Sequence, residues 1–149
     1  MYGTASWSKQ DLLVRLGAPP IDYNSEDFVQ CIRRLAREGV DAVFDPIGGD
    51  HFKRSFSTLR RGGKLVAYGF YNTAPGKGGS VPLDFMRLGL WNFWPNGRST
   101  TFYSIGALRQ KQPDWFSEDL TTLFDLLAQH EIMPIIAARM SLSEAAPMK

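Results

Sequence analysis

From Gly39 to Gly49 the chain reads Gly-Val-Asp-Ala-Val-Phe-Asp-Pro-Ile-Gly-Gly, and from Gly63 to Phe70 it reads Gly-Lys-Leu-Val-Ala-Tyr-Gly-Phe. Each is a short apolar run of strand length that ends in glycine, where a helix or loop takes over. Two such runs separated by a helical pattern describe neighbouring strands of a parallel sheet, because parallel strands need a crossover between them. The carboxyl edge of such a sheet is where open α/β folds bind nucleotides. No Gly-x-Gly-x-x-Gly turn, the backbone cradle for a pyrophosphate, occurs in the 149 residues.

The same alternation extends to both sides. Leu12, Leu13 and Leu16 form one apolar stripe on a short helix from Ser8 that Gly17 stops, and Pro20 to Tyr23 reads as a brief strand. Asn24 or Ser25 is the expected cap of the next helix, with Glu26 and Asp27 in its first turn and Phe28, Ile32 and Leu35 on its buried face. Val40 to Phe44 is almost unbrokenly apolar, which predicts a strand covered on both faces. Asp50 is the expected cap of a third helix whose Phe52, Phe56 and Leu59 repeat at helical spacing up to Gly62-Gly63, and Lys64 to Tyr68 is the following strand. Right-handed crossovers would set the helices on alternate faces as the chain reverses direction, giving an α/β, doubly wound parallel sheet.

Beyond Phe70 the pattern loosens. Tyr71 to Val81 is a Gly- and Pro-rich loop, Pro82 to Trp94 an irregular helix rich in Leu, Met and aromatic residues, and Arg98 to Ile105 a further strand. Pro113 to Gln129 is a helix with Trp115, Phe116, Leu120, Leu123, Phe124 and Leu127 on its apolar side. Ile132 to Arg139 reads as extended, and Ser141 with Glu144 opens a capped helix in which the chain stops, an ending that suggests truncation.

Composition narrows the chemistry. A net charge of +2 with scattered arginines argues against nucleic acid. The single cysteine, Cys31, excludes a disulfide framework and a Cys-rich zinc site and reads as a half-buried helix residue. His51 and His130 have no Cys or carboxylate partners at ligand spacing and read as surface or capping histidines, so neither a metal site nor a catalytic acid or base is expected. No signal peptide or spanning apolar run is legible, which leads to the expectation of a cytoplasmic protein without membrane insertion. The aromatic stretch Leu88 to Trp94 is expected to be buried at a dimer or substrate cleft rather than laid on a membrane surface.

Near the amino terminus stand Thr4, Ser6 and Lys9, with no carboxylate before Asp11. Hydroxyls and a cation there suit a 2′-phosphate on an adenosine ribose, whereas an acidic residue would select the unphosphorylated dinucleotide.

Taken in order, Tyr2 to Ser6, Leu16-Gly-Ala18, Ile21 to Tyr23, Glu26 to Phe28, Gly39 to Asp41, Asp45 to Gly49, Leu59 to Gly69, Ile132 to Ile135 and Leu142 to Ala145 resemble the medium-chain dehydrogenase/reductase superfamily. The resemblance is to its zinc-independent quinone oxidoreductase branch of NADPH-dependent reductases and covers essentially the whole chain. It implies an incomplete Rossmann-like sheet lacking its first strand and glycine-rich turn, with residues 1–107 a truncated NADP-binding domain and 108–149 a helix and returning segment. In the family's strand order 3-2-1-4-5-6, absence of the first strand leaves a gap between the second and fourth. The resemblance further implies NADPH as cofactor, with Tyr23 joining Thr4, Ser6 and Lys9 at the 2′-phosphate. Ile47 and Gly49 would then lie at the ribose and nicotinamide side, and Gly69, Phe70, Phe102 and Tyr103 near the nicotinamide. It implies a quinone or enone substrate for the longer enzyme, a homodimer through the edge strand at Thr100 to Ser104, and an isolated chain that is inactive. The competing expectation is a non-catalytic structural or dimerisation module that binds no cofactor alone.

Overall fold

The computed structural model describes residues 1–73, 80–93, 95–136, 139 and 141. The chain divides into two compact units, Met1–Tyr103 and Ser104–Lys149. In the first unit the elements run β1 (Gly3–Ala5), a 3-10 turn (Trp7–Lys9), α1 (Gln10–Arg15), β2 (Pro20–Asp22), α2 (Phe28–Leu35), β3 (Val40–Asp45), α3 (Asp50–Ser57), β4 (Leu59–Ala67), a 3-10 turn (Tyr71–Thr73), α4 (Val81–Phe93) and β5 (Ser99–Phe102). All strand pairs are parallel, so this is the expected α/β architecture. They form two sheets, β1-β2 and β3-β4-β5, and among the described residues β1 and β3 do not pair with each other. Each therefore keeps one unpaired inner edge. Helix α2 ties the sheets together, because Phe28, Cys31 and Ile32 pack with Ile21 of β2 and with Val40 of β3.

Two helix starts differ from the sequence reading. Asp27, not Asn24 or Ser25, caps α2: its Oδ1 accepts from Val29 N at 2.8 Å and Gln30 N at 3.2 Å. The Gln30 amide, helped by Val29 and Arg54, holds the Asp27 carboxyl below its ordinary pKa against the opposing effect of burial. Glu26 lies before the helix and accepts from Asp22 N instead. Asp50 is the first residue of α3, and the cap position belongs to Gly49 at φ 63°, ψ −137°, a conformation open essentially to glycine alone. The same helix ends earlier than its apolar spacing suggests. Thr58 Oγ1 bonds back to Ser55 O at 2.7 Å, and Leu59 leaves the helix to sit opposite Val40. Leu59 is buried as expected, but as the first residue of β4. Gly62 and Gly63 lie within β4, where the register steps from Val40 opposite Leu59 to Ala42 opposite Lys64.

The core of the larger sheet lies on one face. Phe52 and Phe56 of α3 and Leu88 of α4 pack on Leu59, Leu65 and Ala67. Both crossovers move the same way along the sheet, so right-handedness sets both helices on the same side rather than on alternate sides. On the opposite face Phe44 is 69% exposed, and with Val66, Tyr68 and Tyr103 it lines an open apolar groove of about 420 Å³. The expectation that Val40 to Phe44 is covered on both faces is thus not met within this unit.

Strand β5 is an edge, and α4 guards part of it. Thr100 N donates to Asn92 Oδ1 at 2.6 Å, Asn92 Nδ2 donates to Thr100 O at 3.0 Å, and Thr100 Oγ1 donates to Leu88 O. The Asn92 amide takes the two backbone bonds a neighbouring strand would use at that residue. Asn92→Ala is expected to cost about 1–2 kcal/mol, from two lost hydrogen bonds, and to uncover an edge that self-associates. Urea denaturation and sedimentation velocity over a concentration series check both; an unchanged midpoint would contradict the bonding role.

The second unit carries α5 (Ile105–Lys111) and α6 (Pro113–Ala128). Ser104 Oγ accepts from Ala107 N at 3.3 Å and caps α5, so β5 stops at Phe102 and Ile105 opens a helix, not a strand end. Proline at the first position of α6 needs no amide partner there, and Arg109 lies over the Phe116 ring at 5.4 Å. Residues 132–136 have no regular secondary structure, and the expected helix after Ser141 lies outside the described residues.

Candidate functional site

The carboxyl ends of β1 and β2 meet in register, Ala5 opposite Asp22, so Ser6 and Tyr23 emerge side by side. Tyr23 N donates to Ala5 O at 3.4 Å, and its side chain is 58% exposed. Ser6 Oγ lies 3.3 Å from Ser8 Oγ, and Lys9 is exposed at the end of the 3-10 turn. Thr4 is exposed but sits within β1, one residue before the strand ends. Ser8 was not singled out from the sequence, although its i+2 spacing from Ser6 was the available signal. The nearby carboxylates are turned to other work. Asp22 is buried, with Oδ1 accepting from Asn24 N, and Glu26 accepts from Asp22 N. Ser8, Lys9 and Tyr23 are exposed and Ser6 is half-buried, a donor set that fits a phosphate monoester, although Asp11 and Glu26 are exposed as well.

At the end of β3 two buried carboxylates bracket the Pro46–Gly49 turn. Asp45, 1% exposed, accepts from Ile47 N at 2.8 Å through Oδ1, while Oδ2 takes Ser55 Oγ at 2.6 Å and His51 Nδ1 at 2.7 Å. Asp84 of α4, also 1% exposed, accepts from Gly49 N at 2.8 Å. Burial by itself would raise the Asp45 pKa; the hydrogen bonds from His51 and Ser55, the charge of His51 and the Ile47 amide outweigh it and hold the carboxyl below the ordinary value. His51 is half-buried, and it has the carboxylate partner that its sequence spacing did not show. The end of β3 folds beside the first turn of α3, and the imidazole lies between Asp45 and the Phe28 ring, stacked at 4.9 Å. With Ile47 N and Gly49 N given to carboxylates, this turn is no anion cradle. What it offers is glycine backbone without a Cβ, a surface suited to the uncharged part of a ligand.

The next turn is tied to the first. Tyr71 N donates to Pro46 O at 3.1 Å and Asn72 N to Ile47 O at 2.7 Å. A Cβ on Gly69 would lie 2.6 Å from Pro46 O, so glycine there is demanded by packing. Phe70 and Phe102 pack together at 5.0 Å, and Phe85 of α4 contacts both, at 5.1 and 4.8 Å. Tyr103 alternates to the other face of the sheet and lines the open groove. The structure therefore joins Ile47, Gly49, Gly69, Phe70 and Phe102 at one edge and separates Tyr103 from them. Asp84 and Phe85 complete that edge; nothing in their spacing revealed it, because the contact depends on how α4 docks.

Metal chemistry finds no support in the donor set. Among the described residues no three His, Cys, Asp or Glu side chains stand together as a metal site. Cys31 is buried and donates to Glu26 Oε1 at 3.4 Å; burial, then that contact, raise its thiol pKa. The described residues offer no donor set that fits a bound zinc ion.

Parallel strands joined by helical crossovers, with a glycine-lined carboxyl edge, define a Rossmann-like α/β framework. The chain belongs to the zinc-binding dehydrogenase family, within the medium-chain dehydrogenase/reductase superfamily, whose family model matches residues 16–147. It is 28% identical over 146 residues to the synaptic vesicle membrane protein VAT-1 homolog of Danio rerio, covering 91% of this chain and 29% of that protein. Among solved structures it resembles Escherichia coli quinone oxidoreductase complexed with NADPH, with a TM-score of 0.67 and 25% identity over 91% of this chain and 40% of the other. The CurK enoyl reductase is similar in fold, with a TM-score of 0.69 and 23% identity over 91% of this chain and 38% of the other. The chain thus spans well under half the length of these relatives. No described helix is long and apolar enough to cross a membrane.

Proposed function

We propose that this chain is the carboxyl part of the cofactor domain of an NADPH-dependent reductase acting on a quinone or an α,β-unsaturated carbonyl. The observation that carries the reading is that half-buried Ser6 and exposed Ser8, Lys9 and Tyr23 follow the paired ends of β1 and β2, where Asp22 is buried. That arrangement favours a 2′-phosphorylated adenosine ribose and disfavours a free 2′-hydroxyl, which an exposed carboxylate would select. NADPH, when bound, supplies a hydride; this chain's residues bind and orient it, through Lys9 and Tyr23 at one end and the Gly49 turn with Phe70 and Phe102 at the other. The acceptor's other wall would come from a longer protein. A homodimer through the edge strand near Thr100 to Ser104 is also part of this reading, and pairing at Thr100 would require Asn92 to give up its two backbone bonds there.

The test is isothermal titration of the chain with NADPH and NADH. NADPH is expected to bind more tightly, and Lys9→Ala to weaken NADPH by about tenfold while leaving NADH unchanged, as loss of one charge-assisted phosphate contact implies. Equal affinity for both dinucleotides would refute the phosphate assignment. The unpaired inner edges of β1 and β3 favour the second reading, a structural module without cofactor. A folded chain that binds neither dinucleotide would establish it.

A further inference from the structure

Consecutive residues in the first turn of α4 reach two different parts of the candidate site. Asp84 is 1% exposed and accepts from Gly49 N at 2.8 Å, bridging thirty-five positions of sequence. Phe85 lies 5.1 Å from Phe70 and 4.8 Å from Phe102, ring centre to ring centre. Arg87, one turn on, stands 3.6 Å from both Asp84 and Asp50, so the guanidinium links α4 to the start of α3 and offsets the buried charge. The turn that Asp84 holds has Gly48 at φ 81° and Gly49 at φ 63°, positions with no side chain of their own to fix them. Three of its other groups are held from elsewhere: Ile47 N by Asp45, and the Pro46 and Ile47 carbonyls by Tyr71 N and Asn72 N. Gly49 N alone is held from α4.

We infer that Asp84 is a positioning residue for the nicotinamide half of the bound dinucleotide. It acts by fixing the Gly49 turn against the Phe70, Phe85 and Phe102 cluster. The inference rests on the NADPH reading above and adds a residue outside both predicted cofactor segments. A buried carboxylate on a backbone amide sets one turn geometry, since any other leaves the charge without its donor. Phe85 moves with Asp84 because they share a helical turn. Docking of α4 therefore sets the glycine backbone and the aromatic wall together. The Lys9 and Tyr23 cluster stands on a different sheet and does not depend on this contact.

The experiment compares two ligands on the unmodified chain, Asp84→Ala and Asp84→Asn. One ligand is NADPH; the other is 2′-phosphoadenosine-5′-diphosphoribose, which lacks only the nicotinamide. Asp84→Ala is expected to weaken NADPH by about tenfold and to leave the truncated ligand within about twofold, as loss of one hydrogen bond to a charged group implies. Asp84→Asn keeps an acceptor for Gly49 N and is expected to recover most of the loss. Parallel weakening of both ligands, or no weakening of NADPH, would overturn the inference. Amide hydrogen exchange in the unliganded chains separates its failure from that of the NADPH reading. Gly49 N is expected to exchange at least about tenfold faster in Asp84→Ala, with β4 amides unchanged, and unchanged Gly49 exchange overturns the role of Asp84 whatever the ligands do. An unmodified chain that binds neither ligand overturns the cofactor reading and, with it, the assignment of Asp84 to the nicotinamide half.

Discussion

Phe52→Ala is expected to lower the stability of the first unit by about 3–5 kcal/mol, a large share of the roughly 5–15 kcal/mol that holds a domain together. Phe52 is fully buried at the centre of the cluster formed by Phe56, Leu59, Leu65, Ala67 and Leu88, and its ring meets Phe70 edge-on at 5.9 Å. Truncation removes the ring's transfer free energy and leaves a cavity that neighbours on three elements cannot all close. Among the described residues of the unit, helices cover one face of this sheet, and no second core layer there shares the loss. Urea denaturation followed by circular dichroism measures it. A midpoint shift worth less than about 1 kcal/mol would mean that the sheet is not held from this face.

Asp45→Ala comes next, at about 2–4 kcal/mol near neutral pH. The carboxylate is 1% exposed and serves three donors, Ile47 N in the turn and His51 Nδ1 and Ser55 Oγ on α3. Its removal leaves the half-buried Ile47 amide without that acceptor and the buried Ser55 hydroxyl with only its 3.4 Å contact to His51 Nδ1. Because the folded pKa is depressed, Asp45 stabilises the fold above the unfolded carboxylate value of 3.8, and the contribution fades as pH falls through the lower folded value. The difference between Asp45→Ala and the unmodified chain is therefore expected to be full at pH 7 and to shrink below about pH 4. Asp45→Asn keeps the shape and is expected to lose less. A gap between variant and parent that stays constant from pH 7 to pH 3 would show that the charge contributes nothing.

The sequence reading was most successful where the information is local. Apolar runs ending in glycine placed β3 and the end of β4, and the i, i+4 pair of Phe52 and Phe56 placed the core face of α3. It failed at boundaries, where long-range bonds compete. Leu59 continues the helical spacing, yet pairing with Val40 draws it into the sheet. Asp27 displaced Asn24 and Ser25 as the α2 cap because its carboxylate reaches two amides from the position just before the helix. The candidate site divided in the same way. Ser6 and Lys9 could be proposed from the sequence because hydroxyls and charge are properties of short segments, whereas Tyr23 entered only through the family resemblance.

Asp84 and Phe85 were invisible because their partners, Gly49, Phe70 and Phe102, are distant in sequence and meet them only when α4 packs on the sheet. The partner of His51 was missed for a related reason: Asp45 is six residues away, beyond helical spacing, and faces it only because the chain turns at Gly48 and Gly49. By itself, then, the sequence determined the parallel α/β class and the family resemblance, since hydrophobic period, glycine position and charge are set by neighbours along the chain. Tertiary structure alone decided which face is covered, which edges stay open and which carboxylates hold the glycine turn, because burial and hydrogen-bond satisfaction depend on every element packed around a group.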